Sequence, residues 1–359
     1  MNLKTTNYGF YDHVTDNQEV SFKKLNNIGY AIIRNATVVL GSEFVFKDHI
    51  AYKQDYDFSY QIKDVNYANF RGSITNNNTH LFTKKSEPKN LHLQRAIFLS
   101  GSYDYNWYHW LIEILPKLEV LKFNDFDFSK TKILISEKNY NSANHLDALR
   151  FHTTRDKLVV LNPKTSYKID EVIHIDSPSI NLPNKKFDNK LFELGSGNFQ
   201  SEILKSYRNR FFSELEINSK NTILKKRVYL SRSQKNRKYN QKQIIKLVEN
   251  FNFEIVDPSE LTLKEQIQLF FNAEIIIGPA GAAWANLIFC KPDTIGMIFR
   301  PHNNGENSSF PNLAKVSGVK LYELKYINPE KDWISYMLSD KEAYIDVNLL
   351  DKAIRNFIS

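Results

Sequence analysis

The feature that most constrains this chain is the alternation of apolar strands and amphipathic helices between Arg227 and Phe299. Strand-like runs fall at 227–231, 253–256, 274–278 and 294–299, and helical spacing falls at 240–251, 262–272 and 282–290. Strands joined through helices run parallel, in a sheet covered by helices on both faces. Ligands of such sheets bind beyond the carboxyl ends of the strands. Two of those ends carry anion-binding chemistry. Val228-Tyr229-Leu230 runs into a loop holding Arg232, Lys235, Arg237 and Lys238. Ile275-Ile276-Ile277 runs into Gly278-Pro279-Ala280-Gly281-Ala282-Ala283 and then a helical pattern. The first end offers guanidinium and ammonium groups. The second offers small residues, backbone N–H groups and the positive end of a helix dipole. The pairing suits a phosphorylated ligand.

A chain of 359 residues is long enough for two domains. Residues 1–85 hold short β-like runs such as 30–33, 36–40 and 44–46, separated by Asn, Gly and Asp, and read as a β-rich subdomain. Strands follow at 96–99, 132–135, 158–161 and 171–175, with helices over 107–122, 142–151 and 198–215. Pro116 interrupts the first helix and either kinks it or starts a new one. The proline- and asparagine-bearing stretch 177–196 reads as a long loop. No window approaches the ~18 consecutive apolar residues of a membrane span. The N-terminus lacks the pattern of a signal peptide. The single cysteine, Cys290, excludes an internal disulfide and a multi-cysteine zinc site, and fits a reducing cytoplasm.

The formal net charge is +8, and no Asp or Glu occurs from Asn218 to Val248. The region is either a solvated basic face or a binding surface for phosphate, nucleic acid or an anionic membrane. No helix-turn-helix, zinc or RNA-binding signature accompanies it, which argues against nucleic acid. Peripheral contact with an anionic inner membrane rests on the charge alone.

Four constellations bear on chemistry. His109 and Glu113 stand four apart on one face of a helix, where a carboxylate holds an imidazole in one tautomer and raises its basicity. That pair suits proton abstraction from a hydroxyl group, with either residue as the base. A core histidine beside a surface glutamate is the plain alternative. No third metal ligand is evident. Arg232 directly follows a strand, where its fork matches two phosphate oxygens. Arg237 lies just before the next helix, for which Asn240 is the expected N-cap, while Arg227 reads as structural. The turn from Gly278 to Asn286, with Gly281, Ala282 and Ala283, is no P-loop, and a tight strand-to-helix connection explains it equally well. Glu265, in the first turn of its helix, either complements the dipole or bonds a ribose.

These blocks together resemble glycosyltransferase family 61. The C-terminal block comprises R-V-Y-L-S-R, the basic loop, F-E-I-V-D-P-S-E-L-T-L-K-E-Q-I-Q-L-F and A-E-I-I-I-G-P-A-G-A-A-W-A-N-L-I-F. Upstream, N-W-Y-H-W-L-I-E-I-L-P-K-L is similar to the family's histidine-containing helix. The resemblance implies a GT-B-like α/β architecture: two Rossmann-like domains facing across a cleft, here over 86–196 and 197–359, with a β-rich N-terminal extension over 1–85. It implies an inverting, metal-independent transfer of a hexosyl or pentosyl group, with a nucleotide-sugar donor as substrate and no cofactor. The acceptor is a glycan or a lipid-linked sugar of a bacterial surface polysaccharide such as capsule. Carried over by position, Asn106, Trp107, His109 and Glu113 fall on the acceptor side. Arg232, Arg237, Asn240, Glu265, Gly278, Gly281, Ala282, Ala283 and Asn286 fall on the donor side. Many relatives have histidine where this chain has Ala280, so a side-chain donor to the diphosphate is missing at that position. A non-catalytic nucleotide- or glycan-binding protein that retains the fold is the alternative.

Overall fold

The computed structural model describes residues 3–6, 9–11, 22–24, 28–47, 50–52, 74–76, 81–83, 88–163, 165–180, 198–217, 226–233, 237–301, 309–330 and 333–358. Lys235 and most of the expected loop 177–196 lie outside them. The fold is α/β with parallel sheets, and the chain divides into two compact units, Met1–Glu214 and Leu215–Ser359. No described helix is long and apolar enough to cross a membrane.

The sheet of the first unit has nine strands. Its parallel part runs, in spatial order, Leu158–Leu161, Lys132–Ser136, Ala96–Phe98, Ser166–Ile175. Ile97, Phe98, Ile133, Leu134, Ile135, Val172 and Ile173 are all buried, as expected of strands covered on both faces. Chain order within this part is third, second, first, fourth. The direction of winding therefore switches between Ala96–Phe98 and Ser166–Ile175, which opens a crevice at their carboxyl ends. Ser166–Ile175 also pairs antiparallel along the long strand Ile28–Val39, and Val45–Lys47 and Ile50–Tyr52 continue that sheet. Strands expected within the β-rich segment 1–85 are thus paired into the same sheet as the parallel strands. At the other end of the unit, the helix expected over 198–215 spans Ser201–Glu214.

The helix expected over 107–122 is three pieces: an α-turn Trp107–His109, a π-helical stretch Trp110–Ile114 and an α-helix Lys117–Phe123. Pro116 is the cause. It brings no N–H, and its ring crowds the preceding turn. The backbone widens just before it, and Leu115 N–H reaches back to Trp110 O at 2.9 Å.

The second unit holds five parallel strands in the spatial order Glu254–Val256, Lys226–Leu230, Ala273–Pro279, Ile295–Pro301, Lys320–Tyr326. In chain order this is 2-1-3-4-5, a doubly wound sheet whose switch point lies between Lys226–Leu230 and Ala273–Pro279. Tyr229, Ile275, Ile277, Met297 and Phe299 pack on one face against Ile244, Val248, Leu350 and Ile354. Gly278 is required where the two switch-point strands converge. A Cβ there would sit 2.7 Å from Leu230 O and 2.8 Å from Leu230 Cβ. The segment expected as a helix over 282–290 is a 3-10 helix, Ala282–Phe289.

Candidate active site

The first switch point is filled by the residues that follow Phe98. Ser100 Oγ donates to Asp104 Oδ2 at 3.0 Å and accepts the Gly41 N–H at 2.7 Å, and Lys117 Nζ donates to Ser100 O at 3.0 Å. Ser100, Asp104 and Lys117 are all buried, so this loop is anchored from beneath. Asn106 then caps the next helix, its side-chain oxygen accepting the Tyr108 N–H at 2.9 Å. From Tyr108 to Leu121 every residue is buried except His109 and Glu113. An otherwise enclosed helix therefore opens at these two side chains alone.

His109 Nδ1 lies 2.6 Å from Glu113 Oε2. The carboxylate can only accept at neutral pH, so Nδ1 carries the proton and the Nε2 lone pair is left to act as a base. Burial alone would lower the His109 pKa. The Glu113 carboxylate, backed by Glu43 and Asp104, outweighs burial and holds it above the ordinary value. Ser177, just past the neighbouring strand Ser166–Ile175, donates its hydroxyl to Glu113 O at 2.9 Å. Both strand ends of the switch point thus hold this short helix in place.

The second switch point carries the opposite charge. Arg232 Nη1 and Arg237 Nη1 both donate to Ala280 O, at 3.3 and 3.2 Å. Arg232 Nη2 also donates to Arg237 O, and the Arg232 guanidinium lies 5.3 Å from the centre of the Tyr239 ring. Gln241 grips the backbone of Arg232 at both N–H and C=O, at 3.3 and 3.2 Å. Arg237 has φ 51, a left-handed conformation unusual for a long side chain. Burial and the neighbouring Arg232 charge pull its pKa down to about 10. Two guanidinium groups gathered at one carbonyl oxygen repel each other, and a polyanion beside them would relieve that repulsion.

The 3-10 helix supplies the rest of this site. Its first hydrogen bond is Trp284 N–H to Gly281 O, so the amides of Ala282 and Ala283 come before the helix can supply an acceptor. Residues 280–283 are half-exposed, while everything from Trp284 to Cys290 is buried. Gly281 is not demanded by the backbone, since φ −178° and ψ 177° are open to any residue. A Cβ on it would meet only Pro279 O, at 4.0 Å. The missing side chain leaves room beside the amides.

The remaining sequence candidates sit elsewhere in this framework. Asn240 is buried and joins the helix Gln241–Glu249 to the C-terminal segment, accepting the Ile345 N–H at 2.9 Å and donating to Ile345 O at 3.0 Å. Asn286 is fully buried and donates to Gln266 Oε1 at 2.9 Å. Glu265 closes a capping box, its carboxylate accepting from the N–H and hydroxyl of Thr262 at 2.8 and 2.7 Å. Arg227 donates to Phe251 O at 3.0 Å, a structural contact. Trp107 stacks on His145, with ring centres 5.5 Å apart. Sequence reasoning passed over Asp104, Ser177, Tyr239 and Gln241. Ser177 meets Glu113 across 64 positions, and the others act through loop geometry that no residue pattern marks. Among the described residues, no three His, Cys, Asp or Glu side chains come together as a metal site.

One parallel sheet thus carries an imidazole–carboxylate pair at its switch point, and the other carries paired arginines and helix amides. The glycosyltransferase 61 family model matches residues 107–297, from the histidine helix to the fourth strand of the second sheet. The chain belongs to that family. No curated protein matches it.

Proposed function

We propose that this protein is an inverting glycosyltransferase of GT-B type. It moves a hexosyl or pentosyl group from a nucleotide-sugar to a hydroxyl of a glycan or lipid-linked acceptor. The second unit takes the donor and the first the acceptor. The observation that carries the reading is the 2.6 Å contact between His109 Nδ1 and Glu113 at the only opening of a buried helix.

The acceptor hydroxyl attacks the anomeric carbon from the side opposite the leaving diphosphate. As the new C–O bond forms, the hydroxyl proton passes to His109 Nε2, and Glu113 stabilises the resulting imidazolium. The anomeric C–O bond to the diphosphate breaks, and its electron pair leaves with the phosphate oxygen. Arg232, Arg237 and the Ala282 and Ala283 amides take up that charge, so the transfer proceeds without a metal. Ala280 bears on this point. Its carbonyl gathers both guanidinium groups at the position where the family resemblance implies a histidine. On the same reading the product belongs to a bacterial surface polysaccharide such as capsule. On this reading the enzyme works in the cytoplasm, and the net charge of +8 supports peripheral contact at an anionic membrane.

The test is a panel of nucleotide-sugars incubated with the chain and mixed glycan acceptors, with magnesium and with EDTA. Release of nucleoside diphosphate in both buffers, with a product of opposite anomeric configuration, is the expected result. Firm nucleotide binding with no turnover for any acceptor would instead mark a non-catalytic binding protein.

A further inference from the structure

The loop that leads into the histidine helix presents aromatic rings in a pattern that the proton-transfer chemistry does not use. Asp104 is fully buried and tied to Ser100, while its neighbours Tyr103 and Tyr105 are half-exposed. Tyr103 turns through the left-handed region, φ 61, a costly conformation for an aromatic residue. The turn lays its ring parallel to His109, with centres 5.3 Å apart and planes 25° apart. Tyr105 adjoins Tyr103, with ring centres 6.5 Å apart, and the Lys138 ammonium lies 5.2 Å from its centre. Asp104 N–H to Gly101 O and Asn106 N–H to Tyr103 O close the two turns that set these rings. The loop is therefore held from below by buried polar bonds, and its upper side is aromatic and runs up to the imidazole.

We infer that Tyr103 and Tyr105 form an acceptor subsite for a pyranose ring, so that the acceptor is a carbohydrate and the hydroxyl delivered to His109 belongs to the ring they hold. A pyranose has one face lined with C–H bonds, and aromatic faces attract such polarised hydrogens. Its hydroxyls point outward from the ring edge, where an imidazole beside the shelf can reach one of them. A peptide or an acyl chain offers no such combination of flat C–H face and equatorial hydroxyl. The inference rests on the glycosyltransferase reading, since it is His109 acting as a base that calls for a hydroxyl at this shelf.

Saturation-transfer NMR on the full chain tests it, with methyl pyranosides of glucose, galactose, mannose and N-acetylglucosamine as probes. The expected result is transfer to the ring C–H protons of at least one pyranoside. Tyr105→Ala is expected to weaken that contact by about three- to tenfold, the worth of one ring contact, while Tyr105→Phe keeps it because the ring and not the hydroxyl does the holding. No transfer from any pyranoside to the unaltered chain, or transfer indifferent to Tyr105→Ala, overturns the subsite. If Tyr105→Ala does not fold, Tyr105→Leu carries the same test, with the same expected loss of contact and the same overturning result. UDP, GDP and TDP titrated into the same samples separate the two levels. Nucleotide binding without pyranoside contact removes the shelf and leaves the transferase reading standing. Loss of both removes the two together.

Discussion

At the switch point of the first unit, the side chains that open from the buried helix are His109 and Glu113, with Asp104 behind them. At that of the second stand Arg232 and Arg237 beside the amides of Ala282 and Ala283. Both sites sit where a parallel sheet reverses its winding, so topology supplies the crevice in each case. The chemistry placed there differs in what it needs. The imidazole is answered within the protein by a carboxylate 2.6 Å away, which suits a group that must gain and lose a proton. The arginines converge on the Ala280 carbonyl, and their like charges lie close together, which an anion beside them would favour. On the proposed reading, one site serves proton transfer and the other charge neutralisation. A reaction that deprotonates a nucleophile and expels a diphosphate requires both.

The sharpest way to break this division is to remove one side and leave the other intact. His109→Ala is expected to lower kcat by about 10²–10⁴-fold, the usual worth of a positioned base, with nucleoside diphosphate affinity unchanged by calorimetry. A parallel loss of nucleotide binding would mean the two sites are not chemically separate.

The converse variant is Arg237→Ala. Loss of charge-assisted hydrogen bonds of about 1.5–3 kcal/mol should weaken nucleoside diphosphate binding by about 10–100-fold. The pH at which the base titrates should stay where it was. Unchanged affinity would remove Arg237 from the donor site.

The glycines of the second site separate structure from binding. Gly278→Ala forces Cβ against Leu230 O and should lower stability by about 1–3 kcal/mol in denaturant melts. Gly281→Ala meets only Pro279 O at 4.0 Å, an ordinary contact, so its stability should be unchanged while nucleotide affinity falls. Equal stability losses in the two variants would mean that Gly281 serves the fold.

The smallest effect is in pH dependence. The base works when neutral, so kcat/KM should fall as pH drops through the His109 pKa, at a pH above the ordinary histidine value of about 6.5. Glu113→Gln removes the charge that raises this pKa. The acid limb should then move to lower pH, and kcat should fall because the imidazolium is less well stabilised. An acid limb that does not move would separate Glu113 from the base.

How much of this could be read from the chain alone differs between elements. The strand Ala273–Pro279 and the helix Leu263–Asn272 carry their periodicity and capping box in consecutive residues, so they were evident within a residue or two. Helical spacing also put Glu113 beside His109. The same reading took 107–122 as one helix, because the effect of Pro116 on the turn before it depends on how the backbone relaxes. Asn286 and Glu265 stood in the right blocks for donor contacts. Each, however, satisfies a neighbour: Glu265 bonds Thr262 in the local capping box, and Asn286 bonds Gln266 across a distance that only packing sets.

By itself, then, the sequence determined the class of fold, the two strand ends with anion-binding residues and the His109–Glu113 pairing. All of these rest on short-range periodicity, propensity and charge. Tertiary structure decided which strands stand side by side, and hence that each group of residues lies at a switch point. It also decided that Ser100, Asp104, Lys117 and Gly41 anchor one loop, and that Arg232 and Arg237 converge on Ala280. The Gly41–Ser100 contact and both arginine contacts to Ala280 join residues more than forty positions apart. Their formation depends on how sheets and helices pack, which no local pattern of side chains encodes.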